Sequence, residues 1–426
     1  MDLLRIVTAG SVDDGKSTLI GRLLYDSKQV FDDTLASLER ASTAQGLDEV
    51  NLALLTDGLR AEREQGITID VAYRYFATPK RKFIVADCPG HVQYTRNMVT
   101  GASTAQLALI LVDARKGVIE QTRRHTAIVN LLGIRNLVLC VNKMDLVEWS
   151  EEVFRGIEAE YQAVASTLGV PEVTAIPMAA VSGANVVERA VQTPWFAGQP
   201  LLDFLEMVEP LEPAQHGAFR FPVQHVIRPQ TPEHPDYRGY AGTVAAGLAE
   251  VGADVVVLPQ GIPSRIEGID RFGDSPSHAG QGEAVAIRLA DDVDISRGSM
   301  LVAADGCPPG TDRFTADICW MSDTSVLRPG NRYWIKHTTR RVKCIVESLD
   351  SLFNLQTLGH LTGPEGVGLN DIARVTLKTT ELLFLDPYET SRDTGSFILI
   401  DAATRRTVAA GMVRETVAPT DPGVDF

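Results

Sequence analysis

The chain has 426 residues, of which 44% are hydrophobic and 22% charged, and its formal net charge is −15. That composition suits an ordinary globular protein with room for two to four domains, and no apolar run is long enough to span a bilayer as a helix. The charge is spread evenly: residues 1–209 hold 20 basic and 27 acidic residues and the rest hold 20 and 28, so neither half is a basic nucleic-acid footprint.

Five cysteines (Cys88, Cys140, Cys307, Cys319 and Cys344) are scattered, with no C-x-x-C pair or Cys/His cluster. Reduced thiols in a cytoplasmic protein are the expectation. Asp2 is acidic and the first apolar run enters a glycine-rich loop directly, so no signal peptide is expected.

In chain order, Leu3–Val7 reads as a strand and Thr18–Leu24 as the start of a helix. Between them Gly10-Ser11-Val12-Asp13-Asp14-Gly15-Lys16-Ser17 has the form G-x-x-x-x-G-K-[ST]. In that strand–loop–helix setting the pattern predicts a phosphate-binding loop. The glycines let backbone N–H groups turn toward a polyphosphate, and the helix N-terminus adds its positive end. Lys16 is placed to reach the β- and γ-phosphates and the Ser17 hydroxyl to ligate Mg²⁺.

A connection of about sixty residues follows, far beyond a usual βα loop, and it ends in Arg63-Glu64-Gln65-Gly66-Ile67-Thr68-Ile69. Thr68 is placed to bring its hydroxyl onto Mg²⁺ and its backbone onto a γ-phosphate, ordering the segment with the triphosphate and releasing it after hydrolysis.

Lys82–Ala86, Leu107–Val112 and Leu137–Val141 are short runs rich in branched residues, as buried parallel strands should be. The expectation is a doubly wound α/β domain with its ligand at the carboxyl ends of the strands. The first of these strands runs into Asp87-Cys88-Pro89-Gly90-His91. Asp87 suits Mg²⁺ held through a water, Gly90 a backbone N–H on the γ-phosphate, and His91 the orientation of an attacking water. The last strand ends in Asn142-Lys143-Met144-Asp145. The Asp145 carboxylate can accept from the N1–H and 2-amino group of guanine. Adenine has no such N–H and would leave a charged group unsatisfied, so Asp145 selects GTP over ATP.

The series Gly10–Ser17, Gly66–Thr68, Asp87–His91 and Asn142–Asp145 resembles the translation-factor superfamily of GTPases, which includes elongation factor Tu. Within it, the loop Gly10–Ser17 is similar to that of the GTPase subunits of bacterial sulfate adenylyltransferase; translation factors usually carry His where Asp14 stands. Leu23–Lys28, Arg63–Asp70, Arg220–Gln224 and Asp294–Gly298 extend the likeness over nearly the whole chain. The resemblance implies an elongation factor Tu-like plan: a P-loop GTPase domain followed by two all-β barrels. GTP and Mg²⁺ follow, with catalytic roles for Lys16, Thr68 and His91.

The resemblance further implies that GTP hydrolysis drives a partner. That smaller adenylyltransferase subunit, in a heterodimer or larger assembly, makes adenylyl sulfate and pyrophosphate from ATP and sulfate. The alternative is a translation-type factor that delivers charged tRNA; Asp14 and the lack of an evident basic face weigh against it, and no nucleic acid or membrane partner is expected. One segment departs from the pattern. Ala179-Ala180-Val181 stand where the family has Ser-Ala-Leu, and Ala184 where it has Asp. The Ala180 N–H is still expected to meet the guanine O6, but Ala179 lacks the family's hydroxyl and the loop should be looser.

Val208–Pro213 is a proline-punctuated linker, after which the texture changes. Phe219–Ile227, Gly239–Leu248, Asp254–Leu258 and Glu283–Leu289 are short β-branched or alternating runs, and a second break falls at Asp305–Gly310. Thr315–Met321, Asn331–His337, Val342–Leu349, Ile372–Leu377 and Phe397–Asp401 make a further set. The spacing predicts paired barrels. The expected division is 1–212 for the nucleotide domain, 217–305 and 311–418 for the barrels, and a disordered tail at 419–426. The cluster Arg332, Lys336, His337, Arg340, Arg341 and Lys343 reads as a solvated strand face. No second phosphate loop follows residues 308–310 and no Ser-Gly-Gly-x-Asp-Ser-like loop is present, so adenylyl transfer is expected on a separate chain, and no adenylylsulfate kinase domain on this one.

Overall fold

The structure, a computed structural model, describes residues 2–27, 52, 68, 70–91, 94–170, 173–209, 217–229, 231–232 and 236–417. The expected switch stretch Arg63–Ile67, the linker residues Pro210–Pro213 and the tail Pro419–Phe426 lie outside them. The chain divides into two compact units, one built on Met1–Leu211 and the other on Glu212–Phe353 and His360–Phe426.

In the first unit the apolar runs become a six-stranded sheet of β1 (Asp2–Ala9), β2 (Ala72–Ala77), β3 (Arg81–Asp87), β4 (Leu107–Asp113), β5 (Asn136–Asn142) and β6 (Val173–Pro177). The strand order is β2-β3-β1-β4-β5-β6, parallel throughout except that β2 runs antiparallel to β3. Every residue of β4 is buried, because helices cover both faces of a parallel sheet. Among the described residues the helices are α1 (Lys16–Asp26), α2 (Thr95–Ala102), α3 (Glu120–Leu131), α4 (Glu151–Thr167) and α5 (Leu201–Met207). Local chemistry sets their ends. Ser150 caps α4 by accepting from the Val153 N–H at 3.3 Å, and Glu151 and Glu152 occupy its first turn, where the helix dipole favours them.

The register decides where the chemistry gathers. Thr8 pairs with Asp87 and Asp113 with Asn142, so the carboxyl ends of four adjacent strands present the motif residues side by side.

The second unit holds two barrels. β7 (Arg220–Ile227), β8 (Gly239–Thr243), β10 (Asp254–Leu258), β11 (Ile262–Asp270), β13 (Ala284–Leu289) and β14 (Met300–Ala303) close in the order β10-β11-β13-β8-β7-β14. The short β9 (Leu248–Glu250) and β12 (His278–Gly280) pair beside them. The second set is β15 (Gly310–Trp320), β16 (Arg332–His337), β17 (Arg340–Asn354), β18 (Gly359–Thr362), β19 (Ile372–Phe384), β20 (Ser396–Ile400) and β21 (Thr407–Val417), and pairing of β16 with β17 closes it.

Among the described residues, an ion pair and an apolar cluster help join the barrels. Arg220 Nε and Nη2 each donate to the Asp386 carboxylate at 3.0 Å. Beside them Leu258, Met300 and Val302 of the first barrel pack with Phe384 of the second. No helix among the described residues is long and apolar enough to cross a membrane. All five cysteines are free thiols, and four of them are buried.

Candidate active site

The phosphate loop is built tightly around its glycines. Gly15 sits at φ +94°, and a Cβ there would lie 2.3 Å from Asn142 Nδ2, so only glycine fits. The Asp14 carboxylate is buried and accepts from the Ser11 N–H at 2.6 Å, which ties the loop to itself. Asp14, predicted as a ligand contact, thus has its side chain engaged by its own loop, and burial raises its pKa. Lys16 Nζ donates to the carbonyls of Gly10 and Ser11 at 3.0 and 2.8 Å. Lys16 as a residue is only 7% exposed, and burial lowers its pKa against the opposing pull of Asp87 and Asp14. Val12 in the loop and Thr18 in the first turn of α1 are half-buried.

Next to the lysine, three oxygen groups converge. Ser17 Oγ lies 3.4 Å from Thr68 Oγ1 and donates to Asp87 Oδ2 at 3.3 Å, while Thr8 Oγ1 donates to Asp87 Oδ1 at 3.3 Å. Burial pushes the Asp87 carboxyl up to about 6, opposed first by Lys16. Two hydroxyls and a desolvated carboxylate are a hard-oxygen donor set, so Ser17, Thr68 and Asp87 fit Mg²⁺. Gly90 brings the next loop against this cluster; a Cβ there would lie 2.6 Å from Lys16 Nζ and 2.8 Å from the Val12 nitrogen.

His91 is half-exposed, its ring edge-on to Tyr94 with centroids 6.2 Å apart. Pro89 is buried. Cys88, which belongs to the same predicted ligand loop, turns its side chain away from it. Its thiol is packed inward, 2.5 Å from where a Cβ on Gly101 would stand, and burial drives its pKa up. Only its backbone remains for the site.

The base end is stitched to the phosphate loop by side chains that grip backbone carbonyls. Asn142 Nδ2 donates to the Asp14 carbonyl at 2.8 Å, and Lys143 Nζ donates to the Asp13 carbonyl. Lys143 also meets Asp113 Oδ2 at 3.1 Å, where Arg115 grips the same carboxylate with two hydrogen bonds of 2.6 and 3.0 Å. Those bonds, Arg115 foremost, hold Asp113 far below the usual carboxylate range. Met144 is fully buried. Asp145 is exposed, and no hydrogen bond or ion pair engages its carboxylate among the described residues.

The Ala180 N–H, expected on the guanine O6, donates here to Asn142 Oδ1 at 2.9 Å; a bound base would share or replace that partner. Ala179 carries no side-chain bond, but its loop is held in other ways. The Ala179 N–H donates to the Ala184 carbonyl at 3.1 Å, and Asn185, at φ +55° and fully buried, donates to the Pro177 carbonyl at 2.8 Å.

Three residues of this region carry no sequence motif. Arg22 of α1 donates to the carbonyls of Ala180 and Val181 and so braces the base loop. Gln121 and His125, one turn apart on α3, stand behind the other end. Gln121 Nε2 donates to the Gly90 carbonyl at 3.4 Å and meets His125 Nε2 at 2.8 Å, while its Oε1 accepts from Arg124 Nη1 at 2.9 Å. The arginine fixes which way the amide points, so His125 Nε2 is the acceptor. His125 is neutral, with its pKa pushed down to about 3 by burial. The i, i+4 spacing of Gln121 and His125 was visible in the sequence, but not the loop they would meet.

The family described as the elongation factor Tu GTP binding domain matches residues 1–213, and that described as GTP-eEF1A C-terminal domain-like matches 313–414. The bifunctional enzyme CysN/CysC of Mycobacterium tuberculosis is 56% identical over 420 residues, which are 99% of this chain and 68% of that protein. Sulfate adenylyltransferase subunit 1 of Bacteroides fragilis is 50% identical over 99% of this chain and 88% of its own length, and that of Alteromonas mediterranea 47% identical over 98% and 88%. The chain belongs to the sulfate adenylyltransferase subunit 1 family. Its first unit is therefore a GTP-binding domain, and the likeness to translation factors reflects the shared three-domain fold. Family members are named as one subunit of an assembly, which implies a partner chain.

Proposed function

We propose that this chain is the GTP-hydrolysing subunit of a heteromeric sulfate adenylyltransferase. In this reading GTP hydrolysis here drives the uphill formation of adenylyl sulfate and pyrophosphate from ATP and sulfate on a smaller partner subunit. The observation that carries the reading is the convergence of Ser17, Thr68 and Asp87 beside buried Lys16, in a chain half-identical to proteins of that name.

The mechanism follows from the residues. The N–H groups of Gly10–Ser17 and the Lys16 ammonium bind the β- and γ-phosphates and neutralise charge that develops as the γ-phosphoryl group leaves. Lys16 must release the carbonyls of Gly10 and Ser11 to do so, and the phosphate offers a stronger, charge-assisted partner. Ser17, Thr68 and Asp87 would hold Mg²⁺, which would supply charge neutralisation at the phosphates. His91 orients the water that attacks in line, and the Gly90 N–H meets the γ-phosphate. Loss of that phosphate removes the contacts that hold Thr68 and Gly90, and a partner that binds the two arrangements differently gains the coupling free energy.

The test is GTP turnover by the purified chain with and without the partner, ATP and sulfate. Turnover that rises with the partner, with adenylyl sulfate accumulating in proportion, is the expected result. Stimulation by ribosomes and indifference to the partner would overturn it.

A further inference from the structure

The basic cluster in the second barrel separates into parts with different environments. His337 is fully buried, its Nε2 2.7 Å from the Thr394 carbonyl, and Arg340 pairs with Glu381 at 2.6 Å. The remaining cations stand on the outer face of the barrel. The register pairs Arg332 with Ile345, Trp334 with Lys343, Lys336 with Arg341, and Ile345 with Lys378. Alternation then sets Arg332, Trp334, Lys336, Arg341, Lys343 and Lys378 on one face of three neighbouring strands.

None of the five cations has an ion-pair partner among the described residues. The acidic groups nearby are already spent: Glu347 pairs with Arg313 and Glu381 with Arg340, and Asp401 accepts from the turn at Ala403 and Thr404. Trp334 is half-buried, with Arg341 4.6 Å and Lys343 5.6 Å from its ring centre. Around it opens a cleft of about 650 Å³ walled by Tyr333, Trp334, Cys344, Ile345 and the stems of Lys343 and Lys378.

A chain with a net charge of −15 that keeps five uncompensated cations on one small face has built a landing place for negative charge. Strand spacing and rise put the face at roughly 10 by 13 Å, enough for four or five charges rather than the 6–10 phosphates of a duplex footprint. A small-molecule site would want buried polar groups converging on the ligand. The buried candidates here, Thr379 and Tyr333, are already hydrogen-bonded within the barrel.

We infer that this face docks an acidic segment of the adenylyl-transferring partner subunit, with an aromatic or aliphatic side chain among its carboxylates seated against Trp334. The inference rests on the function proposed above. The chain's net charge of −15 opposes such a segment, and this face supplies the counter-charge that orients it.

The experiment measures binding of the full chain to the purified partner subunit by biolayer interferometry at 50 and about 300 mM salt, for wild type and Lys343→Glu/Lys378→Glu. The expected result is affinity weakened about tenfold or more at low salt, with a shallower salt dependence. GTP turnover by the double variant alone should be retained, because neither lysine belongs to the nucleotide site. Binding equal to wild type would overturn the docking assignment while leaving the partner reading intact. A wild-type chain that fails to bind the partner at all sinks the proposed function and the docking face with it. A fluorescein-labelled oligouridylate that binds wild type and not the double variant would overturn the peptide assignment in favour of single-stranded RNA.

Discussion

The two ends of the nucleotide site are stabilised in opposite ways. At the phosphate end Lys16, Asp14 and Asp87 are buried, and each is shifted toward its neutral form by desolvation. At the base end Asp113 is shifted the other way, clamped by Arg115 and Lys143, and Asp145 stands in solvent. Buried charge without a matching counter-charge costs free energy until a ligand supplies it. The phosphate end therefore carries desolvated charge, whereas the base end is held by ion pairs and presents the Asp145 carboxylate to solvent.

The contrast breaks most sharply at Lys16. Lys16→Ala should abolish detectable GTP binding in a titration with a labelled nucleotide; wild-type affinity would remove the phosphate-loop assignment. His91→Ala is expected to keep binding and slow single-turnover hydrolysis by about 10²–10⁴-fold, as for other positioned acid–base groups. Equal turnover would take His91 out of the mechanism.

At the base end, Asp145→Asn should weaken GTP binding by about 100-fold and favour xanthosine triphosphate, since the amide reverses one donor–acceptor match. Retained GTP preference would place guanine selection elsewhere. Arg22→Ala removes the brace on Ala180 and Val181, and nucleotide dissociation should quicken by about tenfold with the hydrolytic step unchanged. A variant that slows hydrolysis instead would mean the two ends are not separable.

The smallest effect concerns pH. His125 titrates near 3 in the folded chain and near 6.5 unfolded, so below pH 6.5 the unfolded state binds the extra proton and stability falls with pH until about 3. His125→Gln should lose about 1–2 kcal/mol less than wild type between pH 7 and 5 in denaturant titrations. Parallel acid limbs for the two proteins would contradict a buried neutral imidazole.

The segments Gly10–Ser17, Asp87–His91 and Asn142–Asp145, which the fold gathers at neighbouring strand ends, could be picked out because each depends on residue types at short spacing, such as glycines where the backbone must approach. The α/β domain and the paired barrels were legible because their apolar runs alternate or cluster. Other strands hid for physical reasons. β11 contains Pro263 and Gly268, and β21 opens with small residues and an internal Gly411, so neither reads as a run of branched residues. β2 is an edge strand with Tyr73 and Tyr75 outward and exposed, which weakens its apolar pattern.

Arg22, Gln121 and His125 were out of reach for another reason. Their roles depend on Arg22 meeting the base loop across 158 positions and Gln121 meeting Gly90 across 31, and only the fold supplies that. The basic cluster shows the same limit. Its even look in sequence conceals one buried imidazole, one paired arginine and the cations around Trp334.

The doubly hydrogen-bonded grip of Arg220 on Asp386 extends beyond that pair. Thr394 Oγ1 reinforces Asp386 at 2.6 Å, and the Thr394 carbonyl in turn holds His337, so a chain of hydrogen bonds runs from the first barrel into the second. That chain ends on His337 of β16, the strand that also carries Trp334.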